Sequence, residues 1–198
     1  MALGPIQANC FILGCEKTRQ AVVIDPGDDA DRILTSLAGD RLTAVQIINT
    51  HGHFDHVGAN KRLKETTGAD ILIHRDDAPM LTQLSASAAA WGLAAEDSPR
   101  ADRLLEDGDT ISFGTHTLKV LHTPGPTVGG ICLSVEHSQA GALQKAVFVG
   151  DTLFAGSIGR TDFPGGNFDT LINSIRTKLF TLDEDVTVYP GHMGNTAI

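Results

Sequence analysis

The feature of the sequence that most restricts the fold is a run of four metal-type side chains within six residues. The run, Thr50-His-Gly-His-Phe-Asp-His56, follows directly on residues 45–48, which have the apolar pattern of a buried strand. Imidazole and carboxylate groups compete for water and protons, so four of them are costly to bring together without a cation between them. The run therefore predicts a metal site at the carboxyl end of a strand, where open α/β sheets place their functional sites.

The spacing within this run allows for two ions. Residues two apart in an extended segment point the same way, so His51 and His53 can hold one metal. Asp55 and His56 come at the turn into the next predicted helix and can face a second metal. Any one of these histidines alone is as well explained as a surface residue, but the four together are not.

Two further predicted strands end in a metal-type donor that follows a glycine. Asp151 ends the segment Val147-Phe-Val-Gly-Asp151, and His192 ends Val186-Thr-Val-Tyr-Pro-Gly-His192. A carboxylate at position 151 can bridge two cations about 3.5 to 4 Å apart, the usual separation in two-metal hydrolytic sites. Each residue alone has an ordinary alternative role in a turn or at the surface. Together with the first run, both are predicted to be metal ligands.

The rest of the chain alternates between strand and helix patterns in both halves. No short repeat, low-complexity linker or internal boundary interrupts it, so residues 1–198 are predicted to form one domain. Residues 79–95 form either a helical excursion over a pocket or a plain packing helix, and Trp91 is given no role. Strands are predicted at residues 9–13, 20–24, 44–48, 70–74, 110–113, 117–121, 131–135, 146–149 and 186–189, and helices at 28–39, 60–67 and 168–180.

Composition excludes several classes of protein. The chain is 41% apolar and 20% charged, which is not the composition of a disordered chain. No 18-residue apolar stretch is present, and residues 1–7 do not have the pattern of a signal peptide. We therefore expect a cytoplasmic protein. A net charge of -9 disfavours nucleic acid and anionic membranes as partners. Three cysteines without CxxC spacing are expected to be reduced, buried thiols, and they are Cys10, Cys15 and Cys132.

The motifs, in their order and spacing, resemble those of the metallo-β-lactamase fold superfamily over nearly the whole chain. The resemblance rests on the histidine run, on His122-Thr-Pro-Gly, on Gly150-Asp151 and on Pro190-Gly-His192. The segment Gly159-Arg-Thr-Asp-Phe-Pro-Gly-Gly166 is similar to the glyoxalase II-related branch of small bacterial hydrolases. The resemblance implies an α+β fold, a four-layer αβ/βα sandwich of two similar halves, with metals in a cleft at one edge of the sheets.

The resemblance also implies a role for each candidate residue. Asp25 is expected to orient a ligand from behind, since metal ligands need such support. The metal is expected to be zinc, as one or two ions, with iron or manganese as alternatives. The implied ligands are His51 and His53 for the first metal, Asp55, His56 and His192 for the second, and Asp151 between the two.

One ligand position departs from the family pattern. The third histidine of the first site normally stands in His-Thr-Pro-Gly-His-Thr, whereas this chain has Pro126 there. Three interpretations remain: a weak first site, a single metal at the second site, or replacement of the missing ligand by His122 from four residues upstream. The first two are preferred, because His122 is expected to support the site from behind or to pack.

The favoured function is metal-dependent hydrolysis of a thioester or a related acyl bond in a small molecule, as in hydroxyacylglutathione hydrolase. A metal-activated water would attack, with Asp55 accepting its proton or holding it in place. Arg160 is a candidate for binding a substrate carboxylate, although an exposed salt bridge is the commoner role of such an arginine. A glutathione thioester itself has weaker support, because glyoxalase II carries a helical domain beyond the last ligand and this chain has six residues after His192.

Two alternatives remain open at this point. One is a persulfide dioxygenase with a single Fe(II), but that iron depends on the positions of His51 and Asp151 and on the histidine replaced by Pro126. The other is a non-catalytic relative that keeps a structural metal at the second site. Nuclease and true β-lactamase activities are less favoured, the first because of the acidic charge and the second because nothing indicates export.

Overall fold

Two β-sheets packed face to face form the centre of the molecule. The computed structural model describes residues 1–139 and 142–198, with side chains at 1–135 and 145–198. The first sheet, here called the N-terminal sheet, is parallel except for its first pair of strands. Its five strands, in spatial order, are Phe11–Gly14, Gln20–Ile24, Thr43–Ile48, Asp70–His74 and Arg103–Leu105.

The second sheet, here called the C-terminal sheet, is antiparallel except for one parallel pair at Ala142–Gly150 and Thr187–Pro190. Two short two-stranded pairs lie outside both sheets, Ala2–Leu3 with Ala8–Asn9 and Leu153–Phe154 with Ser157–Ile158. The six strands of the C-terminal sheet, in spatial order, are Thr196–Ala197, Thr187–Pro190, Ala142–Gly150, Ile131–Gln139, His116–His122 and Thr110–Phe113.

Helices cover the outer face of each sheet. In Ala30–Gly39, Ile33 and Leu37 are four residues apart and pack on the N-terminal sheet. In the segment from Phe168 onward, Leu171, Ile175 and Leu179 pack in the same way on the C-terminal sheet. The helical segments are Ala30–Gly39, Phe54–Val57, Asn60–Thr67, Leu84–Ala89 and Phe168–Ser174, with a 3-10 helix at Ala78–Gln83 and a π-helical turn at Ile175–Leu179.

Alternation of side chains along the strands builds the layers. Val22 and Ile24 face the interface between the two sheets, whereas Ala21 and Val23 face the helices, because successive strand residues point to opposite faces. Phe148 faces the same interface from the other sheet. Both sheets are therefore buried on two faces, and the predicted α+β, four-layer αβ/βα sandwich is confirmed.

The predicted strands and helices are found, and two of them are interrupted. The strand predicted at residues 9–13 is interrupted at Cys10, whose N–H donates to the carbonyl of Met1 instead. The helix predicted at 168–180 changes to π-helical hydrogen bonding, with Phe180 N–H donating to Ile175 O. The three cysteines are buried and free, as expected. No helix in the described part of the chain is both long enough and apolar enough to cross a bilayer.

Candidate metal centre

Loops at the ends of three strands supply the six predicted ligands, and the loop after a fourth supplies Asp25. Residue 25 follows strand Gln20–Ile24, residues 49–56 follow Thr43–Ile48, residue 151 follows Ala142–Gly150, and residue 192 follows Thr187–Pro190. The structure brings all six predicted ligands together at this edge of the two sheets. They fall into two sets that meet at Asp151.

The first ligand set contains His51, His53 and Asp151. His51 Nε2 lies 3.0 Å from His53 Nδ1 and 3.9 Å from Asp151 Oδ2. Thr50 Oγ1 lies 3.1 Å from His51 Nδ1, which fixes the orientation of this buried ring with Nε2 facing the other ligands. Three donor atoms from three residues therefore converge here.

The second ligand set contains Asp55, His56 and His192. The two Nε2 atoms of the histidines are 3.3 Å apart, and Asp55 Oδ2 lies 3.7 Å from His56 Nε2 and 3.4 Å from His192 Nε2. Asp151 Oδ1 adds a fourth donor, 3.5 Å from His56 Nε2 and 3.6 Å from His192 Nε2. Four donors are the number that a tetrahedral metal needs.

Asp151 lies between the two sets. Its Oδ2 faces His51, and its Oδ1 faces His56 and His192. Oδ1 is buried and has no hydrogen-bond partner. Donors about 2.0 to 2.1 Å from a tetrahedral zinc are about 3.3 Å from each other, close to the spacing in both sets. The orphaned carboxylate oxygen, the spacing and the imidazole and carboxylate chemistry together fit a divalent cation.

Electrostatics differ between the two sets. Burial and the neighbouring imidazole of His56 lower the pKa of His53 to about 4, and the same causes hold that of His51 well below its usual range. Burial also acts to lower the pKa of His56, but the carboxylates of Asp151, Asp25 and Asp55 raise it to about 10. Without a metal, the first set therefore keeps neutral imidazoles, whereas the second set holds a proton in the place of a cation.

Asp25 lies behind the ligands, where the sequence predicts it. Its Oδ2 accepts the Thr50 hydroxyl at 2.6 Å and lies 3.1 Å from His56 Nδ1, while its Oδ1 accepts the Thr50 N–H at 2.7 Å. The backbone of Asp25 is left-handed, with φ of 50°, and this conformation turns the chain out of its strand. One carboxylate thus orients a ligand of the second set and anchors the loop that carries the first.

Sequence analysis missed a second supporting carboxylate, Asp77. It is fully buried and accepts the N–H of Gly52 at 3.0 Å, the hydroxyl of Thr127 at 2.7 Å and the N–H of Gly129 at 2.7 Å. Gly52 lies between the ligands His51 and His53, so Asp77 joins the histidine loop to the loop of residues 123–130. Only the position of Asp77, three residues after a predicted strand, pointed to it.

Pro126 is buried next to the first ligand set. Together with His51 and Asp151 it lines a narrow, tightly packed crevice. Proline offers no side-chain donor at this place, so the described side chains supply three donors to the first set and four to the second.

His122 does not replace the missing ligand, and of the two roles expected for it the contacts fit packing rather than direct support of a predicted ligand. Its ring stacks on His74 at a centroid distance of 4.1 Å, and its Nε2–H donates to the carbonyl of Val128 at 3.0 Å. Neither partner is a predicted ligand. His74, Asp76 and His122 do form a third group of metal-type donors, but the two rings are within 6° of parallel, so the lone pairs in their planes do not converge.

Arg160 is engaged by a carboxylate of its own loop. Its Nε and one terminal nitrogen donate to the two oxygens of Asp162 at 2.8 and 2.7 Å, and the guanidinium lies 3.8 Å above the ring of Phe163. This arrangement is the exposed salt bridge that the sequence offered as the alternative role. Phe163 in turn contacts the ligand His53, with ring centroids 5.5 Å apart.

Gly191 is required by the close approach of two ligands. A Cβ at this position would lie 2.5 Å from Asp151 Oδ1 and 2.7 Å from His56 Cε1. Any larger residue would therefore displace the bridging carboxylate or a histidine. The lack of a side chain at position 191 therefore lets Asp151 and His56 lie close together in the second set.

Comparison with known proteins places these features in a family. The model of the family described as the metallo-beta-lactamase superfamily matches residues 3–192. The hydroxyacylglutathione hydrolase GloC of Haemophilus influenzae is 37% identical over 194 residues, which are 97% of this chain and 88% of that protein.

Two solved structures have the same fold over nearly their whole length. The crystal structure of the B3 metallo-beta-lactamase BLEG-1 is 36% identical, with a TM-score of 0.88 over 99% of this chain and 91% of that one. The crystal structure of TTHA1623 in a di-iron-bound form is also 36% identical, with a TM-score of 0.86 over 100% of this chain and 93% of that one.

Proposed function

Because the chain belongs to the metallo-β-lactamase superfamily, we propose that it is a hydrolase that cleaves a thioester or a related acyl bond in a small molecule with a metal-activated water. The observation that carries the proposal is Asp151, a buried carboxylate whose two oxygens face two converging ligand sets. Two-metal hydrolytic sites are built around such a shared carboxylate. No serine or cysteine nucleophile is then required.

The metal and the protein contribute different parts of the chemistry. A divalent ion bound here supplies Lewis acidity, which lowers the pKa of a ligated water toward neutrality and polarises an acyl carbonyl. His51 and His53 would hold an ion in the first position, while Asp55, His56 and His192 would hold one in the second. Asp25 keeps the His56 ring oriented through a contact of 3.1 Å.

Asp55 is the residue that we assign to proton transfer or to water orientation. Its Oδ2 lies at the open side of the second set, 3.4 Å from His192 Nε2, and its carboxyl is only partly buried. Burial acts to raise the pKa of Asp55, but the hydrogen bond of His192 and the charge of His56 lower it to about 2. The carboxylate is therefore ionised at neutral pH and can accept a hydrogen bond from water.

Similarity to the hydroxyacylglutathione hydrolase supports a thioester as the substrate. The net charge of -9 disfavours a nucleic-acid substrate. Zinc, iron and manganese all suit imidazole and carboxylate ligands, and the similar TTHA1623 binds two irons. We propose zinc first, with iron as the next candidate. The buried free thiols support a reducing compartment such as the cytoplasm.

A single-iron persulfide dioxygenase is the less favoured function. Such an iron needs the third histidine of the first set, and Pro126 stands at that position. The His122 ring, stacked on His74, does not supply it. Iron in the purified protein, together with oxygen uptake when a persulfide is added, would favour the dioxygenase over the hydrolase.

The proposal is tested by thiol release from acyl thioesters. Wild-type protein is stripped of metal, assayed, and assayed again after addition of zinc, iron or manganese, with Asp151→Asn as the site variant. Asp102→Asn is the matched control, because this carboxylate accepts a backbone N–H from Ile71 and lies in no ligand set. Turnover is expected to vanish on stripping, to return with metal and to be lost in Asp151→Asn only. Undiminished turnover in verified metal-free protein contradicts the proposal, and metal binding without turnover indicates the non-catalytic relative.

A further inference from the structure

A surface of aromatic side chains, here called the aromatic wall, lies beside the first ligand set and has no part in the hydrolytic step proposed above. We define the wall as Trp91, Phe163, Phe54 and the flat guanidinium of Arg160. The Phe163 ring is 5.5 Å from the ring of the ligand His53, and Trp91 is 5.7 Å from Phe163 and 6.5 Å from Phe54. The wall therefore runs without interruption from a metal ligand to the protein surface.

Two segments far apart in sequence build this wall. Trp91 follows the helix Leu84–Ala89, which lies between the last two strands of the N-terminal sheet, Asp70–His74 and Arg103–Leu105. Phe163 follows the short strand Ser157–Ile158. Trp91 is 51% exposed although it is the largest side chain in the protein. The indole is held in place by Phe54, Phe163 and Arg160, and half of its surface remains exposed near the candidate metal centre. A fixed, exposed aromatic ring of this kind is suited to binding a ligand.

Charge determines what kind of group this wall accepts. Both oxygens of Asp162 are bound by Arg160, which holds the pKa of that carboxyl at about 2. The guanidinium also lies flat, 3.8 Å from Phe163 and 5.8 Å from Trp91. Its charge is therefore matched within the wall, and a substrate carboxylate would have to displace Asp162 to reach it. An uncharged apolar group can pack on the rings without breaking any of these contacts.

We propose that the wall is the subsite for an uncharged aryl or alkyl group attached to the scissile acyl bond, an inference that rests on the proposed hydrolase function. A carbonyl placed at the first ligand set is within one side-chain length of Phe163, so its substituent reaches Phe163 and then Trp91. The subsite thus selects apolar thioesters over those with a charged substituent. The aromatic wall, rather than a contact of Arg160 with a substrate carboxylate, is then the part of the site that selects the substrate.

Direct binding is measured through Trp91, because it is the only tryptophan in the chain. Metal-loaded protein is titrated with two thioethers that cannot be hydrolysed, the uncharged S-benzyl-N-acetylcysteamine and the charged S-methylglutathione. Saturable change of the Trp91 emission with the benzyl compound is expected, with at least about tenfold weaker response to the charged one. Equal binding of the two compounds, or no binding of the benzyl compound, overturns the proposal.

Turnover gives an independent readout. Wild-type protein, Trp91→Ala and Phe163→Ala are compared on the phenylacetyl, acetyl and succinyl thioesters of N-acetylcysteamine. Each variant is expected to lower kcat/KM for the phenylacetyl ester by about tenfold more than for the acetyl ester, mainly through KM. Phe180→Ala, which removes an aromatic ring outside the wall with an exposure of 58%, close to the 51% of Trp91, is the control. Equal losses on the two esters, or a selective loss of the succinyl ester in Arg160→Gln, overturn the proposal.

The two proposals fail in different ways. If no metal form of the protein hydrolyses any of the thioesters but Trp91 still reports the benzyl compound selectively, the hydrolase function is wrong and the apolar subsite stands. If the thioesters are hydrolysed with no preference for apolar substituents, the hydrolase function stands and the subsite is wrong.

Discussion

Replacement of Asp77 tests whether a carboxylate that sequence analysis missed holds the first ligand set in place. Burial raises the pKa of this carboxyl, while its hydrogen bonds to Thr127, Gly129 and Gly52 act to lower it. In Asp77→Asn, one oxygen remains and the amide nitrogen faces the other donors. Thr127 can turn its hydroxyl to accept, but one of the buried N–H groups, of Gly52 or Gly129, then loses its acceptor.

The structure sets the size of the effect. A buried N–H without an acceptor costs about 1–3 kcal/mol, so Asp77→Asn should destabilise the fold by about that amount. Asp77→Ala removes the acceptor from all three donors and should cost about 3–5 kcal/mol, since hydrogen bonds to a charged group contribute about 1.5–3 kcal/mol each and do not add fully. Because Gly52 lies between His51 and His53, the affinity of the first ligand set for zinc, the weaker of the two affinities, should fall as well, by about 10-fold to 100-fold.

The assay is urea unfolding in the presence of a chelator, followed by zinc competition titration of the folded variants. Asp102→Asn is again the control, because it removes a carboxylate charge away from the ligand sets, while its amide oxygen can still accept from Ile71 N–H and Lys64 Nζ, which both donate to Oδ2. The control should keep its zinc affinity and lose less stability than Asp77→Asn. If Asp77→Asn has the same unfolding midpoint and the same zinc affinity as Asp102→Asn, the positioning role of Asp77 is refuted.

Three further predictions follow from the same centre. Asp25→Asn should lower zinc affinity by about 10-fold to 100-fold in competition titration, because its single amide oxygen can take the place of Oδ1, which accepts the Thr50 N–H, or of Oδ2, which faces the Thr50 hydroxyl and His56, but not of both; an unchanged affinity would contradict this. Gly191→Ala should lower zinc affinity by about tenfold or more, whereas Gly194→Ala, where a Cβ meets nothing within 4 Å, should not; equal affinities would remove the steric argument. Saturating zinc should raise the midpoint temperature of thermal unfolding of the wild type, because only the folded chain brings the ligands together; the same midpoint with and without zinc would contradict the assignment of a metal site.

The convergence of the candidate ligands could be predicted from the sequence because their signal is local. His51, His53, Asp55 and His56 fall in one short run, and Asp151 and His192 each follow a glycine at the end of an apolar segment. Strand ends meet at one edge of a sheet, so the position of each donor in its element was enough to bring them together. The apolar alternation likewise predicted most strands of the two sheets.

The supports of the ligands could not be predicted in this way, because their partners are distant in sequence. Asp77 is 25 residues from Gly52 and 50 from Thr127, and His122 pairs with His74, across the interface of the two sheets. An aspartate after a strand or a histidine before a proline carries no local sign of such a partner. The place of Trp91 could not be predicted for the same reason, because it packs against Phe163, which is distant in sequence.

The most direct test of the central claim is the metal content of the protein purified without added metal, compared with that of Pro126→His. The claim is that the second ligand set, with four donors, is complete and that the first, with three, lacks the ligand replaced by Pro126. Elemental analysis should find one tightly held ion per wild-type chain and two per Pro126→His chain. No retained metal in either protein would contradict the assignment of the centre, and two tightly held ions already in the wild type would contradict the incomplete first set.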